Sequence, residues 1–127
     1  MHIRILLAAG VAAIAFTLPA AAQDRLLGSY VARLSDNDHY ASTGKKLDTA
    51  AQVVRQDRAN WHRFGRGDME DEDDPWFADA EARARFERLL NKGSAMSQAT
   101  RRYILGGEPV VRVDVYANSV EVTIVGR

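Results

Sequence analysis

The stretch VVRVDVYANSVEVTIV, residues 110–125, determines the class of fold that we predict. Val111, Val113 and Val115 alternate with polar or aromatic residues, and the alternation resumes at Val120 after a short turn. A period of two with one apolar side is typical of half-buried strands, and two such runs joined by a short turn predict a β-hairpin. Because an isolated hairpin is only marginally stable in water, we expect it to pack against helices and a further strand.

Helical patterns occupy most of the chain before this hairpin. The predicted elements are, in chain order, a strand over 29–34, a helix over 47–64 with Asp48 or Thr49 as its N-cap, a helix from the N-cap Asp74 to about residue 91, and a short helix capped by Ser97. Together they predict a small α+β domain, in which two to three helices pack on one face of a short antiparallel sheet.

The first 22 residues have the pattern of a cleavable secretory signal. A basic start is followed by an apolar run over 5–18 and by small residues, with Ala20 and Ala22 at the recognition positions. We therefore predict cleavage between Ala22 and Gln23, a single domain over 23–127, and a periplasmic or secreted location. The apolar run is shorter than the roughly 20 residues that span a bilayer, so we expect no stable membrane insertion after cleavage.

Composition excludes several classes of function. One of the 17 basic residues, Arg4, lies in the predicted signal, which leaves 16 basic and 17 acidic residues and a net charge near −1. This balance argues against nucleic acid as a partner. The chain contains no cysteine, which excludes thiol catalysis, Cys-ligated zinc and disulfide bonds.

Six carboxylates lie within seven residues between the first two predicted helices. Calcium takes six to eight oxygen ligands, so weak Ca²⁺ binding is one hypothesis for this segment, and we expect no other cofactor. The spacing is not that of an EF-hand loop, and a solvated or salt-bridged loop is the alternative. The candidate ligands are Asp68, Glu70, Asp71, Glu72 and Asp73, followed by Asp74.

Basic residues share one side of the first predicted helix, directly before this acidic segment. Spacings of three and four residues place Arg55, Arg58 and His62 together, so we expect the carboxylates to fold back and pair with them. The alternative is an external anion, such as a phosphate or an acidic glycan. With neighbouring aromatic residues, these side chains form the predicted partner-binding surface, which comprises Arg55, Arg58, Trp61, His62, Phe64 and Trp76. Core packing is the other role that the aromatic residues could have.

Asp57 interrupts the apolar row of the first predicted helix, between Val54 and Trp61. A buried carboxylate is costly unless it is paired, so we interpret Asp57 as an internal anchor that accepts backbone N–H groups or pairs with an arginine. The catalytic alternative is a small hydrolase that uses Asp57 with Asp38 or His39.

Two short stretches invite comparison with known sequences. The tripeptide Arg66-Gly67-Asp68 resembles the integrin-recognition motif, but three residues are too few to predict adhesion. The segment RQDRANWHRFG, residues 55–65, is the most distinctive part of a resemblance to a group of small exported bacterial proteins of unknown function. That resemblance covers about residues 30–92 and implies a small exported domain, without any activity, cofactor or catalytic residue.

Three functions remain open from the sequence. The first is a non-enzymatic module that binds a macromolecule of the cell envelope through the helix and loop over residues 55–77. The second is a cation-binding protein that uses residues 68–74, and the third is the small hydrolase.

Overall fold

The computed structural model describes residues 9–15 and 24–127, and the predicted cleavage point between Ala22 and Gln23 lies outside these ranges. Three helices and three strands make up the regular part of the second range. In chain order they are β1 (Leu26–Arg33), α1 (Ala50–Phe64), α2 (Ala80–Leu90), α3 (Gln98–Gly106), β2 (Val110–Tyr116) and β3 (Val120–Gly126). Within the described ranges, no helix has both the length and the apolar character needed to cross a membrane.

The sheet is antiparallel throughout, with β2 between β1 and β3. Tyr30 lies opposite Val113, which lies opposite Val122, and all three are buried. The N–H of Tyr116 donates to the carbonyl oxygen of Ser119 (2.9 Å) and closes the hairpin. The predicted α+β fold, with helices packed against an antiparallel sheet that contains a C-terminal hairpin, is therefore confirmed.

Side-chain caps set the bounds of α1 and α3. The Oγ1 atom of Thr49 accepts from the N–H of Gln52 (3.2 Å), and the Gln52 side chain accepts from the N–H of Thr49 (3.2 Å). These reciprocal bonds start α1 three residues later than predicted. The helix ends before Gly65, whose φ of 61° glycine adopts without steric cost. Ser97 caps α3 as predicted, with its Oγ accepting from the N–H of Thr100 (3.1 Å).

The predicted start of the second helix at Asp74 is wrong. The N-cap of α2 is Asp79, whose carboxylate accepts from the N–H of Ala82 (2.8 Å). Asp74 instead caps a turn before the helix, where its Oδ2 accepts from the N–H groups of Trp76 and Phe77 (both 2.8 Å). Its Oδ1 accepts from side chains of α1, which keep Asp74 beside that helix, so α2 begins later in the chain.

The core lies between the sheet and the helices. Phe77 stacks on Phe86 of α2, with ring centres 4.0 Å apart, and meets Tyr30 of β1 edge-on at 6.2 Å. The edge-on arrangement is favoured by the aromatic quadrupole, and with both contacts Phe77 joins the segment before α2 to the sheet.

Candidate functional site

The acidic loop, residues 66–77, runs along the free edge of β1. Because β2 pairs with the other edge, the N–H groups of Val31 and Arg33 point away from the sheet. Val31 donates to Glu72 Oε1 and Arg33 donates to Asp71 Oδ1, both at 2.8 Å. The carbonyl oxygen of Val31 accepts from the N–H of Glu72 (2.8 Å). Two predicted cation ligands thus cover a strand edge that would otherwise be open to pairing with another chain.

Other carboxylates of the acidic loop also accept hydrogen bonds from the protein. Glu70 accepts from Arg33 Nε (3.0 Å), and Asp73 accepts from the indole N–H of Trp61 (2.8 Å). Asp71 Oδ2 accepts from the backbone N–H of Asp68 (2.9 Å). Protein donors thus engage at least one oxygen of each of these carboxylates, so the geometry favours an internally hydrogen-bonded loop.

Within residues 9–15 and 24–127, one group of side chains, His62, Asp73 and Asp74, has potential metal-ligand atoms within 4.8 Å of one another. Asp74 Oδ1 already accepts from His62 Nε2 at 2.7 Å and from Arg58 Nη1 at 2.9 Å. The guanidinium carries a permanent positive charge, which opposes a cation at the same oxygen. The arrangement is therefore better suited to a charge pair than to a metal centre.

Arg58, which we predicted to contact a partner, is fully buried. Its Nε donates to Asp57 Oδ2 (2.7 Å), and its Nη1 donates to Asp74 Oδ1 (2.9 Å) and to the carbonyl oxygen of Glu72 (2.8 Å). Its guanidinium carbon lies 4.1 Å from the ring centre of Tyr30, close enough for a cation–π contact. Arg58 therefore fastens α1 to both β1 and the acidic loop, and it offers no surface to a partner.

The two carboxylates beside Arg58 have opposite pKa shifts. Burial raises the pKa of Asp57, and the nearby Arg58 charge offsets this only in part. Burial also acts to raise the pKa of Asp74, but hydrogen bonds from His62 and Arg58 outweigh it and hold that pKa below its usual range. Asp74 is thus the charged partner of Arg58, and Asp57 occupies the internal position that its place in an apolar row predicts.

Three other predicted contact residues are partly withdrawn from the surface. Arg55 pairs with a glutamate of α2 at 3.4 Å. Trp61 and Trp76 are half-buried, and their rings cover Gly67 and Gly28, where an added Cβ would overlap the indole. The glycine of the Arg-Gly-Asp tripeptide is therefore explained by packing against Trp61.

Phe64 remains an exposed aromatic residue at the end of α1, with 39% of its surface accessible. The guanidinium carbons of Arg63 and Arg66 lie 5.0 Å and 5.8 Å from its ring centre. Neither arginine takes part in an ion pair within residues 24–127. The end of α1 thus presents an apolar ring beside two positive charges that no carboxylate of the described chain neutralises.

A groove of about 390 Å³ lies beside Phe64, between α1 and the segment 37–44. Its polar and aromatic lining includes Asn37, Tyr40, Ser42, Gln56, Asn60 and Arg66. No sequence pattern led us to predict this groove, although Gln56, Asn60 and Phe64 follow one another at four-residue spacing on one side of α1. No sequence pattern indicated that Tyr40 belongs to this groove, because it lies among turn-forming residues without periodicity.

The three residues of the hydrolase hypothesis lie in different surroundings. Asp38 lines a groove of about 280 Å³, His39 lines another, and Asp57 pairs with the buried arginine. The His39 ring nitrogens lie 2.8 and 2.7 Å from the carbonyl oxygens of Ser35 and Ile104. Burial raises the pKa of Asp38 to about 6, although hydrogen bonds to its carboxylate oppose this. Each side chain thus has a structural partner in place.

Comparison of the chain with protein-family models, with curated proteins and with solved structures gave no match. The resemblance to small exported bacterial proteins therefore stays a prediction. Fold and geometry define a small α+β domain with an exposed polar and aromatic surface at the C-terminal end of α1.

Proposed function

We propose that this chain is an exported, non-enzymatic protein that binds a component of the cell envelope through the C-terminal end of α1. The observation that carries the proposal is the exposed ring of Phe64 with Arg63 and Arg66 against it. Aromatic residues and arginine are the types that contribute most to binding at interfaces, because they bury large areas and donate several hydrogen bonds. The neighbouring groove extends this surface with polar groups.

The placement of the titratable residues supports binding over catalysis. Asp38, His39 and Asp57 are buried, and each is engaged by hydrogen bonds within the protein. A catalytic acid or base must reach its substrate within hydrogen-bond distance in a shared pocket.

Export is supported by the signal-like pattern of residues 1–22. The expected partner is thus a molecule of the periplasm or the cell surface.

Co-sedimentation with isolated bacterial envelope material tests the proposal on protein purified from an exporting host. The double variant Phe64→Ala/Arg66→Gln removes the exposed ring and one charge of this surface. The matched control Leu105→Ala/Arg102→Gln removes an apolar side chain of similar exposure and one charge elsewhere. We expect the wild type and the control to sediment with the envelope and the Phe64 variant to remain soluble. Equal sedimentation of both variants, or none for the wild type, would refute the proposal.

A further inference from the structure

We infer that the ligand of this surface is a neutral saccharide, bound in the groove between α1 and the segment 37–44. This inference rests on the proposed function and specifies the chemistry of the partner. Its basis is the juxtaposition of two exposed aromatic rings with a set of oriented amide and hydroxyl groups.

The dimensions of the groove suit a short oligosaccharide. Its volume of about 390 Å³ lies within the range of typical small-molecule sites. A second groove of about 280 Å³ adjoins it and shares Asn37, Asn60 and Arg66 as lining residues. The two grooves therefore meet at the C-terminal end of α1.

Two aromatic rings line the first groove. Tyr40 comes from the loop and Phe64 from the end of α1, and each has 39% of its surface accessible. The face of an aromatic ring is negative and apolar, so it attracts the polarised C–H groups of a pyranose face. Neither ring is in the hydrophobic core cluster; the guanidiniums of Arg63 and Arg66 lie over the Phe64 ring, so a sugar would share that ring with them.

The polar groups of the groove are held in fixed orientations. Gln56 Nε2 donates to Asn60 Oδ1 (3.0 Å) and to Ser42 Oγ (3.4 Å), and Asn60 Nδ2 donates to Asp38 Oδ1 (2.8 Å). These hydrogen bonds leave Gln56 Oε1, the side-chain amide of Asn37 and the Tyr40 hydroxyl without a hydrogen-bond partner among the described residues. Sugar hydroxyls both donate and accept, which matches such a mixed set of groups.

Other ligand classes fit the groove less well. A peptide that binds by adding a strand needs a free sheet edge, and the acidic loop already covers that edge of β1. A phosphorylated ligand could pair with Arg66, but it would also meet the negative C-terminal end of α1 at Gly65 and the carboxylates of Asp38 and Asp68. An amphipathic helix needs an apolar groove, whereas amides and hydroxyls dominate this lining.

Titration of the isotope-labelled protein with cellotriose, maltotriose and the trimer of N-acetylglucosamine tests the inference by NMR. We expect at least one of these probes to shift the side-chain amide signals of Asn37, Gln56 and Asn60 at millimolar concentration. Inorganic phosphate is expected to leave them unchanged.

Variants assign the binding to the groove. Phe64→Ala or Tyr40→Ala is expected to weaken saccharide binding by about tenfold, because each removes one stacking face. Gln56→Ala should weaken it similarly, whereas the controls Gln98→Ala and Leu105→Ala, at exposed positions elsewhere, should bind within about twofold of wild type. Thermal melts of the five variants and of the wild type show whether a loss of binding reflects a loss of folding.

The outcomes separate this inference from the proposed function. If no trisaccharide shifts the amide signals while Phe64-dependent sedimentation survives digestion of the envelope glycans, the ligand is not a saccharide and the proposed function stands. If sedimentation also does not depend on Phe64, both the inference and the proposed function fail. Saccharide binding that is equally strong in Phe64→Ala and wild type would overturn the assignment to this groove.

Discussion

Arg58 is a charged residue enclosed in the core of a small domain. Its Nε and Nη1 groups have carboxylate or carbonyl partners, while its Nη2 and the hydroxyl of Tyr30 lack hydrogen bonds within the described ranges. A buried ion pair recovers its desolvation cost only when partners and geometry are both favourable. The position therefore depends on Asp57 and Asp74 together.

Replacement of Arg58 by alanine is expected to lower the free energy of unfolding by about 3–5 kcal/mol, since it leaves buried carboxylate oxygens without a partner. Arg55→Ala is the matched control on the same helix. Its half-exposed pair with Glu87 is worth at most about 1 kcal/mol. Urea unfolding of both variants gives the comparison, and equal losses would contradict the structural role of Arg58.

Asp38 should make stability depend on pH. Its pKa in the folded protein is about 6, above the usual value, so its protonated form is favoured by folding. The resulting stabilisation is complete below about pH 4 and is lost as the pH rises through 6, with a total of about 3 kcal/mol. Between about pH 4 and pH 7, the free energy of unfolding of the wild type should therefore fall relative to that of Asp38→Asn. If the free energy of unfolding, measured with urea, depended on pH in the same way in both proteins, this role of Asp38 would be contradicted.

Among the elements of the fold, the acidic loop acts as a cover for β1. Side-chain oxygens of Asp71 and Glu72 take the place that carbonyl oxygens of a fourth strand would occupy. This arrangement hides an edge that would favour pairing with another chain, and the excess of negative charge adds repulsion between molecules.

Loss of this cover should have two effects. Asp71→Ala removes the acceptors for the N–H groups of Arg33 and Asp68, so we expect a loss of about 1–3 kcal/mol of stability. It should also increase self-association, which analytical ultracentrifugation measures. Asp68→Ala removes a charge from the same loop without a side-chain hydrogen bond and should change stability by less than about 0.5 kcal/mol. Similar behaviour of the two variants would show that charge alone matters.

The elements that sequence patterns predicted are those governed by local physics. The hairpin follows from alternation around the 117–119 turn, and α3 follows from its Ser97 cap. The start of α2 was mispredicted because Asp74 followed by proline is a sound local cap signal, while its deciding partner, Arg58, lies sixteen residues earlier. In the candidate site, Phe64 was predicted from its helix, but its proximity to Tyr40 depends on loop packing that no local pattern encodes.

For the whole molecule, calcium is expected to have little specific effect on thermal stability. An ion stabilises a protein only when it binds the folded state preferentially, and here carboxylates of the acidic loop are engaged by protein donors. Melting temperatures in millimolar calcium, magnesium or chelator at constant ionic strength should agree within about one degree. A calcium-specific rise of several degrees would restore the hypothesis of a cation site.

The enclosure of Arg58 also has a consequence for local opening. The turn at Asp74–Phe77 is irregular, and such segments usually exchange their amide hydrogens with solvent through small local fluctuations. Here the turn cannot lift away without exposing the guanidinium, removing its charged partner and unstacking Phe77 from Phe86. The amide hydrogen of Phe77 should therefore exchange as slowly as those of β2. A segment without regular secondary structure would then belong to the last cooperative unit of the protein to unfold.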